Sequence, residues 1–263
     1  MHPTVELDYN QLLDMVSEMG YRLMESGAEI YRVEESIRRL LEAYGATRGE
    51  VFAIPNCIIV SLTSPEGQPL TQIRRMPPHG TDIYLLEKYN GLCRQLCQET
   101  PPFDQALRRM RAIARLHVVY SLPVQMAAHF LGCGMFSLFY GGTVWDGVCG
   151  GLCGMVICLC SAFMGRFGAN LFFKTIAGAA ASALAAVTLT ALGAGQNLDA
   201  IIIGALMALV PGIAITNAMR DVMAGDMVAG ISKGAEALLI GAAIALGTAL
   251  SLGLARMVGG GAL

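Results

Sequence analysis

The residues best suited to chemistry stand close together near the end of the chain. A Pro211-Gly212 pair interrupts an apolar stretch, and polar side chains follow it within about three helical turns. A proline removes a helical hydrogen bond and frees carbonyl groups, and transporters often place such discontinuous helices at substrate sites. The pattern predicts a substrate or translocation site, or alternatively a kinked helix that ends in an ordinary charged loop. The candidate residues are Thr216, Asn217, Arg220, Asp221, Asp226, Lys233 and Glu236.

Two further ionisable residues, His129 and Asp146, stand in apolar surroundings. An ionisable side chain at mid-helix in a membrane costs roughly 2.5–3.5 kcal/mol, so each is a functional hypothesis. His129 could relay protons, or it could hydrogen-bond a neighbouring helix. Asp146 could act in translocation, or it could cap the start of a helix beside Trp145. We expect Asp199 to be only a helix cap.

The charges of the chain are unevenly distributed. Of 18 Lys and Arg and 20 Asp and Glu, only ten lie after residue 120, whereas soluble domains carry about 25% charged residues throughout. The second half is therefore predicted to be surrounded by lipid. Neither half is basic, which argues against a nucleic-acid partner. The spacing of the eight cysteines does not match a zinc ribbon, and we predict no metal and no cofactor.

The predicted fold class is a mainly α membrane protein, with about five transmembrane helices preceded by a small cytosolic α+β domain. The cytosolic domain is expected over residues 1–117 and the transmembrane domain over 118–263. Five apolar stretches are each long enough to cross a bilayer, and they lie near 121–141, 146–165, 171–193, 199–219 and 234–256. With the N-terminus in the cytosol, 17 of the 18 Lys and Arg fall on the cytosolic side. The fifth crossing would place the C-terminus outside.

The N-terminal domain shows two kinds of local pattern. Apolar residues at helical spacing predict helices around residues 12–23 and 33–44, and further helices are expected near 82–98 and 103–117. Residues 50–63 predict a strand, with a turn at 64–67 and a partner strand over 68–75.

Small residues recur at four-residue spacing in the predicted membrane helices. They form Gly150-x3-Gly154, an Ala-Gly run over 177–186, and Gly241-x3-Ala245 followed by Ala249. Such residues let helices approach closely. They predict packing among these helices or against a partner.

Two segments resemble the threonine/serine exporter family and its split-subunit relative YjjP. The string PGIAITNAMRDVMAGDMVAGISKGAEALLIGAAIALG and the segment SGAEIYRVEESIRRLLEAYG are similar to family motifs, and the resemblance extends almost from end to end. Ile54-Pro55-Asn56-Cys57 departs from a family stretch usually written Thr-Pro-Thr-Gly. The resemblance implies an exporter of threonine and serine, or of succinate, in the inner (cytoplasmic) membrane of a bacterium. It also implies an oligomer with a second, small YjjB-like membrane subunit.

The same resemblance assigns residues to the site. Asn217, Arg220, Asp221 and Asp226 match the Arg-Asp and Gly-Asp string, and Asp146 matches an acidic residue that opens the second span. Glu29, Arg32 and Glu34 match the cytosolic motif, which forms either a salt-bridged helix or a gate or regulatory surface. We expect Arg220 to hold a substrate carboxylate, and Asp226 or Asp146 to accept a proton or bind a substrate ammonium.

Three classes of function compete. The first is a secondary exporter of small hydrophilic metabolites driven by the proton gradient, because the chain contains no Walker motif for ATP. The second is a regulatory or scaffold subunit that does not itself transport. The third is a membrane-anchored hydrolase, which would use Ser61, Ser64 or Cys57 with His79 or His117. The chain has no Gly-x-Ser-x-Gly or HExxH string, so we predict that it is not an enzyme.

Overall fold

The computed structural model of the chain describes residues 8–46, 48–64, 67–77 and 80–258. The chain divides into two compact units. The first contains the described residues up to Val118 together with Thr216–Gly234, and the second contains Val119–Ile215 and the described residues from Ala235. Thr216–Gly234, here named the returning segment, lies in the predicted transmembrane part of the sequence but packs in the first unit.

The first unit is built from helices and one small sheet. Strands β1, β2 and β3 form an antiparallel sheet in that order. The predicted single strand over 50–63 is wrong, because Pro55 and Asn56 form a two-residue turn and Ile54 pairs with Cys57. Proline has no N–H for a strand ladder, so the chain reverses there. The elements are α1 (Tyr9–Glu25), α2 (Ile30–Ala43), β1 (Gly49–Ile54), β2 (Cys57–Thr63), β3 (Pro69–Arg75), α3 (Ile83–Glu99) and α4 (Phe103–Ala114).

The core of the first unit follows the predicted periodicity. The apolar faces of α1 and α2 are buried, and β2 contributes every second residue. Ala229 of the returning segment is buried in the same core. Burial of these side chains supplies the main driving force for folding of this unit. Its central residues include Leu12, Met15, Met19, Leu23, Val33, Ile37, Leu40, Ile58, Val60, Leu62 and Tyr89.

The second unit is helical. It contains α5 (Leu122–Phe139), α6 (Val144–Arg166), α7 (Leu171–Ala191) and α8 (Leu198–Leu206). Two more helices, α9 (Gly212–Ala224) and α10 (Met227–Val258), begin and end in different units. The boundary falls between Ile215 and Thr216 in α9 and between Gly234 and Ala235 in α10.

Four helices of the described chain are long and apolar enough to cross a membrane, so five spans are not confirmed. They are Leu122–Phe139, Val144–Arg166, Leu171–Ala191 and Met227–Met257. The stretch predicted over 199–219 is instead divided into α8 and α9, with the break ending at Pro211. Helix α8 has nine residues, about 14 Å of helix, which is half the thickness of a hydrocarbon core.

Small residues allow close helix packing in the second unit. A Cβ on Gly154 would collide with Cys133 and the carbonyl of His129, and one on Gly247 would collide with the carbonyl of Ile176. These contacts confirm the prediction for Gly150-x3-Gly154. A Cβ on Gly241, in contrast, would meet no described atom within 4 Å. The face of α10 that packs against α7 is therefore not the predicted Gly241 face.

Candidate functional site

Asp221 is the most deeply buried charged residue of the returning segment. Its side chain has no exposed surface. Oδ1 accepts a hydrogen bond from the Ile30 backbone N–H at 3.1 Å, and Oδ2 accepts one from Nζ of Lys233 at 2.9 Å. Ile30 is the first residue of α2, where free N–H groups and the helix dipole favour an anion. Asp221 thus ties the start of α2 to the start of α10.

Glu29 forms a second link at the same helix end. It occupies the N-cap position of α2, and its Oε1 accepts a hydrogen bond from Nη1 of Arg220 at 2.8 Å. Arg32 lies farther from it, with Nε 3.5 Å from Oε2. Burial would raise the pKa of Glu29, but a bond from its own backbone N–H and the bond from Arg220 outweigh burial and lower the pKa. The Arg220 side chain remains 53% exposed.

Glu34 and Asp226 form the third part of the site. Glu34 Oε1 accepts a hydrogen bond from the Ala53 backbone N–H at 2.7 Å. Burial raises the pKa of Glu34, and the negative charge of Asp226 raises it further against the opposing effect of the Ala53 bond. Burial and the nearby charge of Asp221 raise the pKa of Asp226. In the described part of the chain, the Asp226 carboxyl has no ion pair or hydrogen bond.

We call these residues the charge network: Glu29, Glu34, Arg220, Asp221, Asp226 and Lys233. The network brings the predicted cytosolic motif and the predicted Arg-Asp and Gly-Asp string together within one unit. Arg220 uses one N–H group for Glu29, so a guanidinium with five N–H groups can still bind a carboxylate. The raised pKa of Glu34 and of Asp226 means that each carboxyl takes up a proton at a higher pH than an ordinary carboxyl does. The arrangement therefore combines a donor suited to a small anion with carboxyls that protonate at a higher pH than usual.

Other predicted residues lie outside this network. Thr216 and Asn217 precede it on α9, the first exposed and the second half-buried. Glu236 is exposed and belongs to the second unit. His129, also in the second unit, bonds through Nδ1 to the carbonyl of Gln125 at 2.8 Å within α5. That contact is not the predicted bond to a neighbouring helix, because the partner lies in the same helix, and the proton-relay role of His129 stays a prediction.

Asp146 is fully buried in the second unit and accepts four hydrogen bonds. Oδ1 accepts from the backbone N–H groups of Gln196 and Asn197 at 2.6 and 3.0 Å. Oδ2 accepts from the N–H and the hydroxyl of Thr143, both at 2.8 Å. Four donors occupy the two carboxylate oxygens, so Asp146 fixes the segment before α8 to the start of α6.

Asp146 and Asp199 are predicted from the sequence as possible N-cap residues, but neither occupies the N-cap position of its helix. Thr143 is the N-cap of α6 and Asp146 is the third residue of a capping box. The Thr-x-x-Asp spacing is the signal that could have revealed it. Asn197 caps α8 through its side chain, and Asp199 lies in the first turn.

The residues proposed for a hydrolase do not form a nucleophile and base pair in the described structure. The Ser61 hydroxyl lies 2.9 Å from that of Thr71, and Nδ1 of His117 lies 3.0 Å from Oδ2 of Asp82. His79 lies outside the described residues.

A family model and one related protein both indicate the same family for this chain. The family model described as "Putative threonine/serine exporter" matches residues 14–255. A probable threonine/serine exporter of Mycobacterium tuberculosis is 27% identical over 251 residues, which are 94% of this chain and 47% of that protein. The chain therefore spans about half the length of this relative. No solved structure matches the chain.

Proposed function

Because this chain belongs to the threonine/serine exporter family, we propose that it is a subunit of a secondary exporter in a bacterial inner membrane. The substrate is a small hydrophilic metabolite, either threonine or serine or a succinate-like dicarboxylate. Export is driven by the proton gradient and requires a second, smaller membrane subunit. The N-terminus lies in the cytosol.

The observation that carries this proposal is the charge network. It combines one half-exposed arginine, Arg220, with two carboxyls, Glu34 and Asp226, whose pKa is raised above that of an ordinary carboxyl. An exporter coupled to protons needs a group that binds the substrate carboxylate and a group that changes protonation. The break before Pro211-Gly212 precedes the returning segment by four residues, and broken helices occur at binding sites of transporters.

Counterflow tests this proposal. Labelled threonine, serine and succinate are offered to proteoliposomes that contain this chain with or without a small partner subunit. We expect one substrate to move only when both chains are present, and that label identifies the substrate class. An intact purified complex that moves none of the three would remove the main support for an exporter.

One observation favours a second candidate, the regulatory or scaffold subunit. The buried charges Asp221 and Lys233 pair with each other, and Glu29 pairs with Arg220, so part of the network is already satisfied within the chain. The same counterflow assay separates the two candidates when Arg220 is changed to Ala in the assembled complex. An exporter subunit loses transport, whereas a scaffold keeps it as long as the complex assembles.

A further inference from the structure

In the part of the chain that the structure describes, no strand covers the backbone groups along the outer edge of β1. The sheet order places β1 at an edge. The Arg48 carbonyl accepts a hydrogen bond from the Thr63 N–H at 3.1 Å. The backbone N–H and C=O groups of the even-numbered residues in β1 therefore point toward β2. Successive residues of a strand alternate in direction. The backbone groups of Gly49, Val51 and Ala53 therefore point away from the sheet, and Ala53 donates its N–H to Glu34.

A cavity of about 410 Å³ that is widely open to solvent adjoins this edge, and its volume is within the size range of small-molecule sites. Its lining combines one positive charge, Arg38, one negative charge, Glu50, and an apolar floor. Phe52 and Ile59 are a cross-strand pair on the outward face of the sheet. In the described residues neither Arg38 nor Glu50 forms an ion pair, although Glu34 lies one turn before Arg38 on α2. The lining residues are Arg38, Gly49, Glu50, Val51, Phe52, Ile59 and Ser61.

We propose that this cavity binds a small α-amino acid as a zwitterion. The carboxylate would accept hydrogen bonds from the Arg38 guanidinium and the Val51 N–H. The ammonium would donate to Glu50 and to an outward carbonyl of the β1 edge. A short side chain would pack on Phe52 and Ile59, which removes apolar surface from water. One cation, one anion and an open strand edge match the three groups of a zwitterionic amino acid.

An added peptide strand fits the same edge less well. Glu34 already occupies the N–H of Ala53, so in the described residues of β1 only Gly49 and Val51 have both outward backbone groups available, and Ala53 has only its carbonyl. Strands in proteins usually contain about 5–6 residues. Two residues with both outward groups available suit a single amino acid better than a strand of a partner protein.

The position of the cavity indicates a role for the bound amino acid. Arg38 is on α2, and in the charge network Asp221 binds the first residue of this helix, Ile30, while Arg220 binds its N-cap residue, Glu29. Binding at Arg38 would therefore stabilise the helix that the network uses as its anchor. In this role, which rests on the proposed function, a metabolite that accumulates in the cytosol regulates its own export from a site separate from the transport path.

Hydrogen exchange measured by mass spectrometry tests the site in the purified full chain. Threonine or serine is added at millimolar concentration, and protection is followed over residues 48–62. We expect threonine or serine to slow hydrogen exchange in β1 and β2. Ethylammonium and propionate, each added alone, should give no protection. Arg38→Ala and Glu50→Gln should each require at least about tenfold more amino acid for the same protection, because each removes one charged partner.

Arg39→Ala is the matched control, because Arg39 is on the same helix but pairs with Glu35 outside the cavity. It should leave the protection unchanged. The proposal is wrong if neither amino acid protects 48–62, if Arg38→Ala protects as well as the unchanged chain, or if only an extended peptide protects. Failure of counterflow with protection retained would count against the proposed function alone, and transport without protection would count against this site alone.

Discussion

At the scale of single residues, Asp221 is a buried carboxylate of the first unit that depends on its bonded partners. It is fully buried, and its two oxygens bind the Ile30 N–H and the Lys233 ammonium. A buried ion pair contributes little net stability compared with apolar residues of the same size, but removing one partner leaves an uncompensated charge. Its bonds to α2 and α10 make Asp221 a position where one substitution should change the packing of the returning segment.

We expect Asp221→Asn to destabilise the chain by about 3 kcal/mol, because Lys233 loses its counter-charge in a site that is only 16% exposed. The amide keeps an oxygen that can still accept from Ile30. The thermal unfolding midpoint in detergent measures the effect. Adding Lys233→Met should recover part of the loss, and Glu35→Gln, in an exposed pair with Arg39, should change little. A midpoint for Asp221→Asn equal to that of the unchanged chain would contradict this role.

The carboxyls of Glu34 and Asp226 give stability a definite pH dependence. Their pKa is raised in the folded chain, so the folded state binds protons more tightly than the unfolded state. Stability should therefore rise as pH falls from neutral through their raised pKa. The pKa of Glu29 is lowered instead, so its contribution is lost only in stronger acid, below the ordinary glutamate range.

The measurement is the thermal midpoint from neutral pH down through the ordinary aspartate and glutamate range, to about pH 4. Glu34→Gln should flatten the rise, because the amide imitates the protonated acid and keeps an acceptor for the Ala53 N–H. Glu35→Gln, one residue farther along α2, serves as the control and should retain the rise. If Glu34→Gln follows the same curve as the unchanged chain, the pair does not titrate as expected.

At the scale of elements, α10 has two faces of small residues with different surroundings. Ala243, Gly247 and Ser251 form the buried face, and the Ser251 hydroxyl donates to the Ala180 carbonyl of α7 at 2.8 Å. The other face includes Gly241 and the exposed Ala245. The two faces differ in which neighbours they meet, although both have the four-residue spacing that favours close helix packing.

We expect Gly247→Ala to destabilise the second unit and Gly241→Ala to have almost no effect. The new methyl at Gly247 would collide with the backbone oxygen of Ile176, which cannot move without shifting α7. Overpacking of this kind costs about 1–3 kcal/mol. At Gly241 no described atom lies within 4 Å of the added methyl. Thermal midpoints of the two variants compare the faces directly, and equal midpoints would contradict the packing described for α7 and α10.

At the scale of the whole molecule, the number of membrane crossings depends on α8 and α9. Among the described residues, four helices are long enough to cross by themselves, and an even number of crossings would leave both ends on the same side. If α8 and α9 together make a fifth crossing, the C-terminus lies outside. The positive charges favour that arrangement, because all but one lie on the side predicted to be cytosolic.

Reporter fusions decide between four and five crossings. We expect green fluorescent protein to fluoresce when fused to the N-terminus, and alkaline phosphatase to be active when fused after residue 258. Each reporter works on one side of the membrane only. Fluorescence at both ends, with an inactive C-terminal phosphatase, would mean four crossings and an α8–α9 pair that enters and leaves on one side.

The sequence by itself determined the class of the molecule and the position of most elements. Charge and hydropathy are summed over neighbouring residues, so the lipid-surrounded half and its long helices are visible without coordinates. The helical periodicity of α1 and α2 is local in the same sense and is confirmed. The family strings likewise predicted the threonine/serine exporter family, and the family model that matches residues 14–255 confirms it.

Only the tertiary structure decided how those residues meet. Asp221 and Ile30 are 191 positions apart, and the group that Asp221 binds is a backbone N–H, which nearly every residue carries. No residue type marks such a donor, so sequence patterns could not predict the contact. For the same reason, sequence patterns could not predict that Glu34 accepts a bond from the Ala53 N–H or that Asp146 accepts bonds from two backbone N–H groups. The return of 216–234 to the first unit follows from these long-range contacts and from burial of Ala229, because local patterns carry no information about pairing over such separations.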